Sequence, residues 1–158
     1  MQSVLIRRVR KFLIALAFAL WWGGLTTYAV IVVPIGTEVF GATEQGFVTQ
    51  RVTNWINVLG LVWLACSMWD ARRKSISMVL WAVQAVCLCV LVFIHRRLDV
   101  MLDPAERIII GDGDFYGIHR LYLLATAVQW VVGLGLLWFL LARGPQGSSL
   151  TTPGPRSE

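Results

Sequence analysis

The chain has 158 residues, of which 57% are hydrophobic and only 15% are charged. Soluble domains have roughly 45–50% apolar and about 25% charged residues, so this composition indicates a membrane protein and excludes a large soluble catalytic domain. The net charge of +5 does not indicate nucleic-acid binding, because the basic residues flank apolar segments instead of clustering on a soluble surface. Cys66, Cys87 and Cys89 lie inside apolar runs, so we interpret them as small hydrophobic side chains and not as a disulfide framework.

Four apolar stretches are long enough to cross a bilayer, whose hydrocarbon core of about 30 Å requires about 20 helical residues. The sequence predicts spans at about 12–35, 53–69, 76–95 and 118–142. Residues 70–75 form a tight hairpin between the second and third spans, and longer loops at 36–52 and 96–117 lie on the opposite side. The predicted fold is therefore all-α, a single integral membrane four-helix transmembrane bundle over residues 1–143.

The distribution of basic residues predicts the orientation of this bundle. Nine of them lie before the first span, in the hairpin or in the tail: Arg7, Arg8, Arg10, Lys11, Arg72, Arg73, Lys74, Arg143 and Arg156. The positive-inside rule therefore places both termini in the cytoplasm and predicts a multi-pass protein of the cell membrane. The first apolar run continues past Trp22 without a small-residue cleavage site, so we interpret it as a retained span and not as a secretory signal.

Two segments outside the spans also carry predictions. Asp103 before Pro104, with Glu106 at the third helical position, is typical of a helix start and predicts a short helix at about 104–110, which Gly111 would end. Residues 144–158 are rich in Gly, Pro and Ser and cannot offset their own ordering entropy. We expect them to form a disordered cytoplasmic tail.

Small residues recur every fourth position in the first span, at Ala15, Ala19, Gly23 and Thr27. Such a stripe allows close approach of another helix backbone, and we predict that it is a packing face. The fourth span offers a looser counterpart at Ala125, Gln129 and Gly133. Four tryptophans near the inner span ends are expected to anchor the interface: Trp63, Trp69, Trp81 and Trp138.

The two histidines, His95 and His119, lie at the outer ends of the third and fourth spans and so at one membrane level. Two facing imidazoles could bind a haem iron axially or share a divalent metal ion. Glu38 or Asp99 would then be the third metal ligand. The alternative is that both histidines reach toward lipid headgroups.

A polar cluster is expected beneath the outer interface, formed by Tyr28, Asn54, Asn57, His95, His119 and Tyr122. Each would need a partner there, since an unpaired polar group in hydrocarbon costs several kcal/mol. In the alternative interpretation, Asn54 caps the second span. The sequence has no Ser-His-Asp order, phosphate-binding loop or transmembrane carboxylate relay, which argues against an enzyme or a proton pump.

Several short motifs resemble the family of small four-helix membrane proteins named after transmembrane protein 205. The first span carries Trp22-Gly23, and the following loop carries Val39-Phe40 and Gln45-Gly46-Phe47. The last span opens with Phe115 four residues before His119 and continues with the polar stretch from Thr126 to Gln129. The resemblance implies an integral membrane bundle without an assigned activity, and it singles out His119 for testing.

Three hypotheses for function remain open. The first is a non-enzymatic assembly or accessory protein that associates with itself or with a larger membrane complex. The second is a bis-histidine haem or metal-binding protein, and the third is a small oligomeric transporter or channel, which would need an oligomer to form a pore. All three have the lipid bilayer as a partner, and none involves nucleic acid.

Overall fold

The computed structural model describes residues 2–103, 108–109 and 114–142. Its helices, in chain order, are α1 (Gln2–Thr27), a π-helical segment (Tyr28–Val32), α2 (Val33–Phe40), α3 (Ala42–Ala71), α4 (Ser75–Val100) and α5 (Phe115–Leu141). Two short strands, β1 (Leu102–Asp103) and β2 (Ile108–Ile109), pair antiparallel. Within the described residues, four helical units are long and apolar enough to cross a membrane: Gln2–Phe40, Ala42–Ala71, Ser75–Val100 and Phe115–Leu141. The prediction of a helical bundle with four such helices is confirmed.

The loop predicted at 36–52 is wrong, because helix occupies nearly all of it. Only Gly41 separates α2 from α3, and its φ of 87° is a conformation that glycine adopts without strain. Hydropathy detects only the apolar part of a helix. Glu44 and Gln45 are polar but good helix formers, so the helix extends through them. The π-helical segment lies directly before Pro34, whose missing N–H and bulky ring disturb the regular ladder.

The helix predicted at about 104–110 is also wrong at Ile108 and Ile109, the two residues of this range that the structure describes. Ile108 pairs with Asp103, and Ile109 pairs with Leu102, in an antiparallel ladder. Consecutive β-branched isoleucines favour extended backbone, and here this preference outweighs the helix-start pattern. The rest of that helix prediction and the predicted tail at 144–158 lie outside the described residues.

The core is built around the indole of Trp21, which is 1% exposed. This ring stacks on Trp63 of α3 with centroids 5.0 Å apart and planes 2° from parallel, and Phe18 meets both rings edge-on. A Cβ atom at Gly60 would lie 3.0 Å from Trp21 Nε1, and one at Gly133 would lie 2.8 Å from Trp21 Cζ3. One side chain of α1 therefore packs directly against the backbones of α3 and α5.

Trp63 is not the interfacial anchor that the sequence predicted, because its side chain is fully buried in this core. Trp69 and Trp138, by contrast, are 61% and 70% exposed. Trp81 is half-buried and donates a hydrogen bond from Nε1 to the Leu64 carbonyl at 2.9 Å. Depth along a helix does not distinguish these cases, since the helix face decides whether an indole points inward.

The small-residue stripe of α1 is not a packing face inside the bundle. Ala19 and Thr27 are exposed, and a Cβ atom at Gly23 would meet no atom within 4 Å. The buried positions of α1 are instead Ile14, Ala17, Phe18 and Trp21. The large side chains of α1 fill the interior, and the close approach comes from glycines on the partner helices.

An ion pair closes the hairpin end of the bundle. Arg10 Nη2 lies 2.7 Å from Asp70 Oδ1, and the Asp70 side chain is only 5% exposed. Arg73 Nε lies 3.8 Å from the same oxygen. Because removing one partner of a buried pair costs about 3–5 kcal/mol, this contact holds the first helix against the α3–α4 hairpin.

Substitution of Gly133 tests the close packing around Trp21. We expect Gly133→Ala to lower the free energy of unfolding by about 1–3 kcal/mol, since the new methyl group overpacks against a stacked indole and the Gln84 amide. Gly23→Ala is the matched control and should leave stability unchanged or raise it by up to about 1 kcal/mol. Unfolding titrations in mixed detergent micelles measure both, and equal changes in the two variants would contradict this packing.

Candidate functional site

A cavity of about 260 Å³ lies at the end of the bundle opposite the α3–α4 hairpin. Helices α2 to α5 all contribute side chains to it, and we call it the polar cavity. Its polar lining consists of Thr37, Gln45, Thr49, Gln50, Thr53, His95, Asp99, His119 and Tyr122. Val33, Leu98, Leu102 and Phe115 are among the apolar side chains that complete the wall. The cavity therefore combines hydroxyl, amide, imidazole and carboxylate groups in a small space.

His95 is the most deeply buried histidine of this cavity, with 6% of its surface exposed. Its Nε2 atom lies 3.5 Å from Oδ1 of Asp99, one helical turn farther along α4. Gln50 Nε2 of α3 donates a hydrogen bond to the same oxygen at 2.8 Å. His95 Nε2 has no hydrogen-bond partner among the described residues, so a buried polar atom in the cavity wall is left unsatisfied.

Tyr122 and His119 bring α5 into the same wall. The Tyr122 ring lies 6.3 Å from the His95 ring, and Thr53 of α3 lines the same cavity. His119 is half-buried and lies parallel to the Phe115 ring at 6.1 Å. The structure thus places both histidines and Tyr122 around one cavity.

Tyr28 reaches the polar cavity through a short chain of hydrogen bonds. Gln45 Nε2 donates to the Tyr28 hydroxyl at 3.2 Å, the hydroxyl donates to Thr49 Oγ1 at 2.9 Å, and Thr49 donates to the Gln45 carbonyl at 2.8 Å. The Gln45 amide lies so close to Gly36 that a methyl group there would overlap it. This chain fastens the π-helical segment to α3.

The sequence analysis missed Gln45, Thr49 and Gln50, which it had placed in a loop. The signal that would have found Gln45 and Thr49 is their four-residue spacing with Thr53. Positions four residues apart lie on one helix face, so these three form a polar stripe once the segment is read as helix. All three line the polar cavity.

Asn54 and Asn57 do not belong to this site, so the six-residue cluster is wrong in this part. Asn54 is exposed and Asn57 is half-buried, and both line a separate groove between α3 and α4. Each helical residue turns the chain by about 100°, which moves Asn54 away from the cavity that Thr53 faces. Asn54 is no helix cap either, because α3 begins at Ala42.

The proposed metal ligands do not converge. Glu38 is exposed on α2 and lies outside the cavity lining, whereas Asp99 lies within it. In the described part of the chain, no group of three or more His, Cys, Asp or Glu side chains could hold a metal ion. The bis-histidine haem hypothesis stays a prediction.

Comparison with known proteins finds no matching family model, no matching curated protein and no matching solved structure. The resemblance to the family named after transmembrane protein 205 stays a prediction.

Removing the Tyr28 hydroxyl tests the hydrogen-bond chain at the cavity. We expect Tyr28→Phe to lower the free energy of unfolding by about 1–3 kcal/mol, because the buried Gln45 amide loses its acceptor. Tyr116→Phe is the control, since Tyr116 is exposed on α5, and it should change stability by less than about 0.5 kcal/mol. Unfolding titrations in micelles give both values. An unchanged free energy of unfolding in Tyr28→Phe would show that these hydrogen bonds do not contribute to stability.

Proposed function

We propose that this chain is an integral membrane protein whose four helical units cross the bilayer of the cell membrane. Large apolar side chains such as Phe12, Val86 and Leu124 are exposed on the outside of the bundle. In water, such extended apolar surface is a liability, whereas lipid tails cover it without cost. Because the hairpin end carries Arg72, Arg73 and Lys74, we further propose that this end and both termini face the cytoplasm.

Reporter fusions test this orientation. Alkaline phosphatase fused after Arg143 should be inactive, since the enzyme folds only outside the cytoplasm, and the same reporter inserted at Gly41, between α2 and α3, should be active. Activity at Arg143 together with inactivity at Gly41 would reverse the orientation. Equal activity at both sites would overturn the proposed membrane crossing between them.

We propose that the protein is non-enzymatic and binds a small polar ligand in the polar cavity. The observation that carries this proposal is the buried Nε2 atom of His95, which has no hydrogen-bond partner among the described residues although it lines a cavity. Buried polar atoms are nearly always satisfied, and an unsatisfied one calls for an explanation such as a bound molecule. The cavity volume of about 260 Å³ lies below the range of roughly 300–1,000 Å³ typical of drug-sized ligands, so the ligand is small.

The charges and acceptors of the cavity favour a protonated amine. Among the described residues that line the cavity, Asp99 is the only carboxylate and none is a lysine or an arginine. In the tautomer protonated at Nδ1, His95 Nε2 is an acceptor 3.5 Å from the Asp99 carboxylate. An ammonium group has three N–H donors and carries the opposite charge to Asp99, so it can donate to both side chains at once.

Ethanolamine is a suitable probe, with ethylene glycol and glycolate as neutral and anionic molecules of similar size. A ligand that binds only the folded state raises stability by mass action, so ethanolamine should raise the unfolding temperature of the purified protein with a saturating dose dependence. Ethylene glycol and glycolate at equal concentration should not. Asp99→Asn should abolish the ethanolamine effect, because it removes the charge that selects the amine.

Asp114→Asn is the matched control, since Asp114 is an exposed carboxylate before α5 and does not line the cavity. It should keep the full response to ethanolamine. The amine proposal fails if glycolate stabilises the protein as strongly as ethanolamine, or if Asp99→Asn and Asp114→Asn respond alike.

The assembly hypothesis keeps one specific support. The stripe containing Ala19, Gly23 and Thr27 is left uncovered by the other helices of the chain, so it is free to receive a helix of a second chain. This association stays a prediction, and the oligomeric state of the protein in micelles checks it.

A transport role would need such an oligomer. Membership of the family named after transmembrane protein 205 is likewise a proposal.

A further inference from the structure

A second concave surface lies on the outside of the bundle between α3 and α4. It encloses about 630 Å³, and we call it the α3–α4 groove. Asn54, Asn57 and Leu61 lie along its α3 side, and Leu88, Val92 and Arg96 lie along its α4 side. On α3 these positions follow at intervals of three and four residues, so they form one continuous face.

The groove is polar at one end and apolar at the other. Arg96 and Asn54 lie toward the end of the bundle opposite the hairpin, and Leu61 and Leu88 lie nearer its middle. A helix rises 1.5 Å per residue, so Asn54 and Leu61 are about 10 Å apart along the axis. The same sequence of groups, charged then polar then apolar, is found in a phospholipid from its phosphate through its ester groups to its acyl chains.

The polar groups at the head of the groove are unpartnered within the described part of the chain. The side chains of Asn54, Asn57 and Arg96 form no hydrogen bond or ion pair there. The neighbouring Arg97 guanidinium, which lies 5.3 Å from the Phe93 ring centroid, adds a second positive charge. The head of the groove therefore presents hydrogen-bond donors and positive charge that no described residue pairs with.

We propose that the α3–α4 groove binds one anionic phospholipid. The Arg96 guanidinium pairs with the phosphate, for which the planar fork of arginine is well suited. The amides of Asn54 and Asn57 donate to the ester carbonyls, and an acyl chain lies against Leu61 and Leu88. This inference rests on the proposed membrane crossing but not on the proposed amine ligand, because the groove and the polar cavity are separate spaces.

Native mass spectrometry of the full-length protein in detergent measures this binding directly, with phosphatidylglycerol as the probe. We expect one tightly bound phosphatidylglycerol per chain and roughly tenfold weaker binding to Arg96→Gln, because the charge-assisted hydrogen bonds to the phosphate are lost. Arg120→Gln is the matched control, since Arg120 is exposed on α5 and lies outside the groove. It should bind within about twofold of the parent protein, as expected for an exposed charge without a direct contact.

The double variant Asn54→Leu/Asn57→Leu provides an independent test that keeps Arg96. The parent should prefer diester over diether phosphatidylglycerol, since only the diester offers carbonyl acceptors, and the double variant should lose this preference. Free glycerol 3-phosphate should not compete with the lipid, because it has no acyl chain to occupy the apolar part of the groove.

Four outcomes would overturn the proposal: equal affinity of Arg96→Gln and Arg120→Gln for phosphatidylglycerol, equal affinity for phosphatidylcholine, no diester preference in the parent, or displacement by free glycerol 3-phosphate. The unfolding temperature of each variant without lipid shows whether the fold is retained. If these lipid-binding tests fail while the reporter fusions at Arg143 and Gly41 give the expected activities, the lipid site is wrong and the proposed membrane orientation is unaffected.

Discussion

The fit of one indole, that of Trp21, against the backbones of two other helices is the contact on which the bundle depends. In the proposed bilayer, lipid removes the hydrophobic drive between helices, so association relies on close packing and on interhelical hydrogen bonds. Gly133 provides for both, because its missing side chain leaves room for the Trp21 ring and for the Gln84 amide. That amide donates to the Gln129 carbonyl at 2.6 Å and links α4 to α5. A single glycine therefore fixes α1 and α4 against α5.

The polar groups inside the bundle are arranged along its axis. Asp70, held by Arg10, closes the hairpin end, and Gln84 joins two helices at the middle. The opposite end holds the polar cavity, where Gln50 and His95 face Asp99. Among the described residues, buried side-chain atoms without a hydrogen-bond partner occur in all three regions, at Ser77, Gln84 and His95, but of these three only His95 lines the polar cavity. The place of the His95 Nε2 atom in a cavity wall is why the polar cavity is the proposed ligand site.

Hydropathy was enough to predict the four apolar helices and the common level of His95 and His119, because both follow from chain length across a bilayer. It could not place Gln45 and Thr49 in a helix, since the polar terminal turns of a helix have the same low hydropathy as a loop. It also placed Trp63 at the interface, although this ring stacks on Trp21 in the core. Which face of a helix points inward depends on contacts between helices distant in sequence, and no single stretch of residues contains that information.

His95 lines both the polar cavity and the α3–α4 groove, so one imidazole forms part of the partition between them. The ring is suited to this position, because its nitrogen atoms can serve a polar space while its flat faces pack against apolar or aromatic groups such as Tyr122. A purely apolar residue would remove the imidazole nitrogen that lies 3.5 Å from the Asp99 carboxylate, and a smaller one would join the polar cavity to the α3–α4 groove. The burial of His95 thus follows from its place in the wall between these two spaces.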